Sequence, residues 1–234
     1  RLNYGAEKGT QTLAGTNSYR GGTTLQAGKL ILDYTANTGK LSDTTALTLR
    51  GGTLELKNGS YTEDVLSTTI VSAGQVNITQ NGGSSKINLG VLTWSTTGDF
   101  GGSGALNIGT DGIASTSTAL TNDLVGDRAR FTVGGANWAT KSGSDIVAYT
   151  GYTDFVGTGG NLNVNYRLTG SGTATTNQTF NSLKIASSTG SAQTLALGNQ
   201  TLGFTSKGLL LTGSDDYTIS TSGTGLLSGD ILLH

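Results

Sequence analysis

The chain has 234 residues, among them 38 Gly, 40 Thr and 23 Ser, with no Pro, Cys or Met; 12 % are charged and the net charge is -1. Cys is absent and the one His is residue 234, so zinc sites of Cys and His, thiol chemistry and Ser-His or Cys-His catalysis have no residues to use. A pI near 5.7 without clustered cations argues against nucleic acid as a partner, and no apolar run is long enough to span a bilayer. Average usage of ~5 % would give about a dozen prolines. Their absence fits a chain whose backbone N–H groups are committed to sheet ladders.

Taken in chain order, the first distinctive stretch is LAGTNSYRGGTTLQAGKLIL at 13–32. Short alternating segments follow, with apolar residues two apart: Leu30 and Leu32, Leu47 and Leu49, Leu54 and Leu56, Val76 and Ile78, Ile87 and Leu89, Leu92 and Trp94, Leu106 and Ile108. Turns such as RGGT at 50–53, KNGS at 57–60 and QNGGSS at 80–85 separate them. Each segment is shorter than the 5–6 residues, roughly, of an ordinary sheet strand. The pattern predicts an all-β chain coiled as a right-handed parallel β-helix, a solenoid with about three short strands per turn, in which each strand pairs with the coils above and below. One solenoid domain over 1–234 is expected.

Residues 111–160 interrupt this rhythm. They concentrate charge (Asp123, Asp127, Arg128, Arg130, Lys141, Asp145, Asp154) and predict an irregular insertion packed on the coil, with a helical turn around Leu120 to Val125. The aromatics Trp138, Tyr149, Tyr152 and Phe155 of this stretch are candidates for a glycan-contact platform, against the simpler reading of packing onto the coil. Beyond it, NLNVNYRL at 161–168 places Leu162, Val164, Tyr166 and Leu168 on one face. Asn161, Asn163, Asn165 and Arg167 fall on the other, which reads as a solvated face or as an amide ladder. Leu195, Leu202 and Leu209, seven apart, predict three successive strands.

Two further features suggest chemistry. Asp215 and Asp216 in GSDDYT could act as a carboxylate pair on sugars, although Asp at a Gly-Ser corner more often caps its own turn. TGDFGGSG at 97–104 and GTDGI at 109–113 loosely resemble calcium-binding turns, without the tandem nonapeptide such sites use. No catalytic residue, metal or cofactor is expected, and the chain is expected not to be an enzyme.

The 13–32 stretch resembles the autotransporter-associated β-strand repeat, also called the passenger-associated transport repeat. The residues that match are Leu13, Gly15, Asn17, Tyr19, Gly21, Gly22, Thr23, Ala27, Gly28 and Leu30. Segments at 46–59, 134–153, 179–186, 195–213 and 229–234 resemble other parts of the same large bacterial surface proteins. The resemblance implies a structural or adhesive β-helical segment, extracellular or on the cell surface, exported across a Gram-negative outer membrane. Its partners would be neighbouring units of the same protein, a second copy stacked head to tail into fibres, or surface glycans. The alternative is a carbohydrate-binding or carbohydrate-cleaving β-helix. The chain begins at Arg1 and reads as a mature product or a piece of something longer.

Overall fold

The computed structural model describes residues 2–4, 9–71, 75–95, 104–228 and 232–233, and every regular element among them is a β-strand. In each of two compact units the strands stack as parallel coils of a β-solenoid. Where the sequence reads as one continuous coil, the contacts divide the chain into two compact units. The first comprises 1–119, 130–135 and 139–148, and the second 120–129, 136–138 and 149–234.

In the first unit three parallel ladders form the walls of the coil. One stacks Leu2–Tyr4, Thr23–Leu25, Ala46–Leu49, Ser67–Ile70 and Val91–Trp94. The second stacks Thr10–Leu13, Lys29–Asp33, Thr53–Lys57, Gln75–Asn81, Ala105–Ile108 and Phe131–Val133. The third begins later, with Thr62–Asp64, Lys86–Asn88 and Ala114–Ser115. Leu30 opposes Leu54, and Leu54 opposes Ile78, so one turn takes 24 residues. Glu63 opposes Ile87 at the same interval. Successive side chains of a strand point to opposite faces, so the Leu and Ile pairs read from the sequence stack into an interior column: Leu30, Leu54, Ile78, Leu32, Leu56 and Ile108 are all buried. The corners before Lys29–Asp33 and Thr53–Lys57 turn on left-handed glycines, Gly28 and Gly52. Gly52 has φ 81°, and a Cβ there would collide with the carbonyl oxygen of Gly28 one coil below, so only glycine fits.

Within 111–160, Ala114–Ser115, Phe131–Val133 and Thr153–Asp154 belong to parallel ladders, and the other described strands are antiparallel. Asn137–Ser142 and Asp145–Ala148 make a hairpin, and Asp145 of its second strand pairs antiparallel with Ser115. The third ladder therefore ends on a hairpin rather than on a further coil. The helical turn expected around Leu120 to Val125 is instead a second hairpin, Leu120–Thr121 with Leu124–Val125. Asn122 and Asp123 between them have φ 49° and 69°, the two left-handed residues of a primed two-residue turn, and Asn and Asp tolerate that conformation better than most side chains.

The second unit coils again. Its main ladder runs Thr153–Asp154, Asn165–Leu168, Gln178–Ser187 and Thr201–Gly213, the last pairing with both Leu226–Ser228 and Leu232–Leu233. A second ladder holds Gly172–Thr173, Gln193–Ala196 and Tyr217–Ser220. Gln178 opposes Leu202 and Leu195 opposes Ile219, again 24 apart, whereas Leu183 opposes Leu209. The two extra residues sit in an irregularity at Thr205 to Lys207, where Lys207 has φ 63°. Leu202 and Leu209 consequently lie on one long kinked strand, not on the separate strands that their spacing suggests. The interior holds Leu168, Phe180, Leu183, Ile185, Leu195 and Leu202, with Tyr166 and Phe204 at 4.9 and 5.8 Å from the Phe180 ring.

The alternation at 161–168 also needs correction. Only Asn165–Leu168 is strand, and Leu162 is 54 % exposed. Asn165 is 1 % exposed. Its Oδ1 accepts the amide of Asn181 and the hydroxyl of Ser182, both at 2.7 Å, and its own amide donates to the Asn122 carbonyl at 2.8 Å. The amide ladder exists, but it is internal, because the hairpin at 120–125 bonds directly to these residues.

Candidate functional site

The densest polar constellation lies beside the 13–32 motif, at the corner where the first unit lacks a third-ladder strand. Residues 34–45 contain no strand. Two adjacent N–H groups there, those of Lys40 and Leu41, are taken up by one side chain. Glu63, 0 % exposed, accepts the N–H of Lys40 at 2.9 and 3.0 Å, that of Leu41 at 2.6 Å, and the hydroxyl of Tyr34 at 2.8 Å. A buried carboxylate is tolerable only when its lone pairs are bonded in this way. Burial, and then the Glu63 charge, hold the Tyr34 phenol well above its ordinary range, so it remains a donor.

Lys40 links this carboxylate to the motif. It is fully buried, and its ammonium donates to the carbonyls of Ala14 and Gly15 at 2.9 and 3.0 Å, 5.7 Å from the centre of the Tyr34 ring. Asn17 returns a bond from its amide to the Lys40 carbonyl at 3.1 Å. Tyr19, whose hydroxyl is raised mainly by burial, bonds Thr23 at 2.6 Å. The motif loop, residues 34–41 and Glu63 are thus joined across three successive coils. Sequence reasoning missed Tyr34, Lys40 and Glu63. The available signal was the 24-residue turn, which brings position 63 beside 39–41.

The four candidate aromatics do not form one exposed platform. Trp138 is 0 % and Tyr149 is 8 % exposed, in a cluster with Leu124, Ala129 and Leu210 against which Tyr152 packs. The Tyr149 and Tyr152 rings meet edge to face at 4.9 Å, and the Tyr152 hydroxyl accepts the backbone N–H of Trp138 at 2.9 Å. Gly208 permits this packing, since a Cβ there would collide with Ala129. Phe155 belongs to the other cluster, its ring perpendicular to Phe180 at 6.0 Å. Burial leaves Trp138 no ring face for a sugar, whereas Tyr152 and Phe155 are half-buried. Lys184 lies 5.2 Å over the Tyr152 ring and donates to Asn137 Oδ1 at 2.7 Å, with its ammonium pKa pushed down by burial and then by Arg167.

Asp215 and Asp216 line two shallow hollows of about 260 and 230 Å³. The Asp215 carboxylate accepts the N–H of Thr189 at 2.7 Å and of Gly190 at 3.0 Å, and the hydroxyls of Ser187 and Thr189 at 2.8 and 2.9 Å. These bonds, the Thr189 N–H foremost, lower its pKa to about 2. A general acid needs the opposite shift. Asp215 therefore fastens the turn of the preceding coil, at 187–190, rather than capping its own turn.

Asp111 of the GTDGI turn accepts the Ala148 N–H at 2.7 Å and so holds the hairpin. The turn at 97–104 lies outside the described residues except for Gly104. Among the described residues no three of His, Cys, Asp and Glu come together as a metal site, and no helix is long and apolar enough to cross a membrane.

Comparison with known proteins adds one match. The sequence model of the passenger-associated transport repeat matches residues 8–32. That span holds the strands Thr10–Leu13, Thr23–Leu25 and most of Lys29–Asp33, together with the loop that Lys40 and Asn17 brace. No curated protein matches the chain, and no solved structure does. The match covers residues 8–32 alone; it is consistent with a passenger repeat region, in keeping with the β-helical coils, and such repeats imply export to the cell surface or extracellular space.

Proposed function

We propose that the chain is a non-catalytic structural or adhesive segment of a surface protein exported by the Gram-negative outer-membrane route. The observation that carries this reading is the transport repeat at 8–32, integrated into the first coils by the Asn17, Lys40 and Glu63 network. The chemistry of the carboxylates supports it. Asp215 and Asp111 are bonded to backbone N–H groups and serve the fold. Interlocked coils give a stiff support on which outward Thr, Ser and Asn side chains stay hydrated.

The finer part of the proposal is that ladder edges let one copy join another or a neighbouring unit of the same protein, since a parallel strand pairs with any matching strand in register. Three measurements test it together. Protease accessibility on intact cells of the source organism should show the segment outside. Sedimentation of the purified chain over a wide concentration range should show association, and a stable monomer removes the fibre-forming part. A glycan array with a reducing-sugar assay should show no sugar release, and release of sugar overturns the non-catalytic reading.

A further inference from the structure

The first unit contains two Asn-Gly pairs one turn apart, Asn58-Gly59 and Asn81-Gly82, and the structure treats them differently. Asn-Gly is the dipeptide most open to attack by the following backbone nitrogen on the side-chain amide, because glycine puts no Cβ in the way. Asn58-Gly59 is an inner corner. The Asn58 amide donates to Thr35 Oγ1 at 2.7 Å and Asp33 Oδ1 at 3.3 Å, its N–H donates to the Asn81 carbonyl at 3.0 Å, and its own carbonyl accepts the Ser85 hydroxyl at 2.8 Å. Asn58 is half-buried and Gly59 exposed, but the neighbouring coils crowd the peptide: a Cβ on Gly59 would meet Tyr34 one coil below, and one on Gly83 would meet Gly59 and Asn58.

Asn81-Gly82 lies at an outer corner. The following strand pairs with Gln75–Ile78 only, so the ladder stops three residues short of Asn81. Residues 81–84 are exposed. Among the described residues the Asn81 amide donates to Glu55 Oε1 at 3.4 Å.

We infer that Asn81 is a site of spontaneous deamidation and that Asn58, the same dipeptide, is protected by its coil. The Gly82 nitrogen, losing its proton to solvent base, attacks Asn81 Cγ. The C–N bond to the side-chain amide breaks, ammonia leaves, and a succinimide ring closes. Water opens the ring at either carbonyl, giving Asp or isoaspartate. The product sets a carboxylate where a donor to Glu55 stood, in register with Lys57. Isoaspartate also lengthens the backbone by one atom at the corner.

The test incubates the full chain at mildly alkaline pH, folded and in parallel in concentrated urea, and maps conversion at both sites by peptide mass spectrometry. In urea the two sites should react at similar rates. In the folded chain Asn58 should be slowed by roughly tenfold or more, as for groups that react only through local opening, while Asn81 keeps a rate close to its unfolded one. Equal protection of both sites, or faster loss at Asn58, overturns the inference.

Discussion

Glu63 accepts the backbone N–H of Leu41 at 2.6 Å from a position 22 residues further along the chain. A side chain there takes the place of a ladder strand, because residues 34–45 supply none. Replacing Glu63 by Ala leaves the Lys40 and Leu41 N–H groups and the Tyr34 hydroxyl buried without their acceptor. The expected loss is roughly 3 kcal/mol, read by urea denaturation. Glu63→Gln, which keeps one oxygen acceptor, should lose clearly less, and equal losses would mean that the bonds to Glu63 contribute little.

Asn165 and Asn181 should behave as a coupled pair. Each single Ala substitution is expected to cost about 1–3 kcal/mol by leaving buried polar groups unsatisfied. The double variant should cost less than the sum of the singles. A double-mutant cycle by chemical denaturation checks this, and strict additivity would contradict the bonded network.

The corner glycine predicts a steric cost. Gly52→Ala must hold φ near 81° with a Cβ against the Gly28 carbonyl, so a loss of about 2 kcal/mol or more is expected. Gly135 is also left-handed, φ 66°, but has open space around it. Gly135→Ala should lose about 1 kcal/mol, and the difference in melting temperature between the two variants isolates the collision.

Asp215 links stability to pH. Its folded pKa, about 2, lies below the ordinary value of 3.8, so its stabilisation is fully present above that ordinary value and is lost as pH falls through the folded one. Melting temperature should therefore decline between about pH 4 and pH 2. Asp215→Asn, which cannot ionise, should show a shallower decline. Some slope will persist from Asp33, whose carboxyl is lowered by Thr35 and Lys57. An unchanged slope would sink the assignment.

Burial of Trp138 gives an optical prediction. In a Trp94→Phe chain the only indole left is that of Trp138, 0 % exposed. Its fluorescence should be blue-shifted and resist quenching by acrylamide until the protein unfolds. Ready quenching in the folded state would restore the case for an exposed aromatic platform.

The elements that sequence reveals best here are those governed by neighbours in the chain. Leu30 with Leu32 and Leu54 with Leu56 announce strands because a pleat alternates every residue, and their shortness announces a coil. The turn length is harder to see, since corners vary: the step is 24 residues from Leu30 to Leu54 but 21 from Leu47 to Thr68. Lys40, Glu63 and Asn165 look like surface residues by type, and only pairing with distant coils buries them. The aromatics at 138–155 are the converse case, since composition cannot tell a ring that packs on Ala129 from one that awaits a ligand.

The 24-residue turn also sets how such a protein can change length. Copying or removing one whole turn, for instance the stretch that begins at Gly28 and ends before Gly52, returns every side chain to the face it occupied. An odd-numbered change inside a strand would send Leu54 outward and Glu55 inward. Whole turns are thus the natural increments of evolutionary growth, and smaller insertions fall at the corners or, like the two extra residues at Thr205 to Lys207, at a kink within a strand.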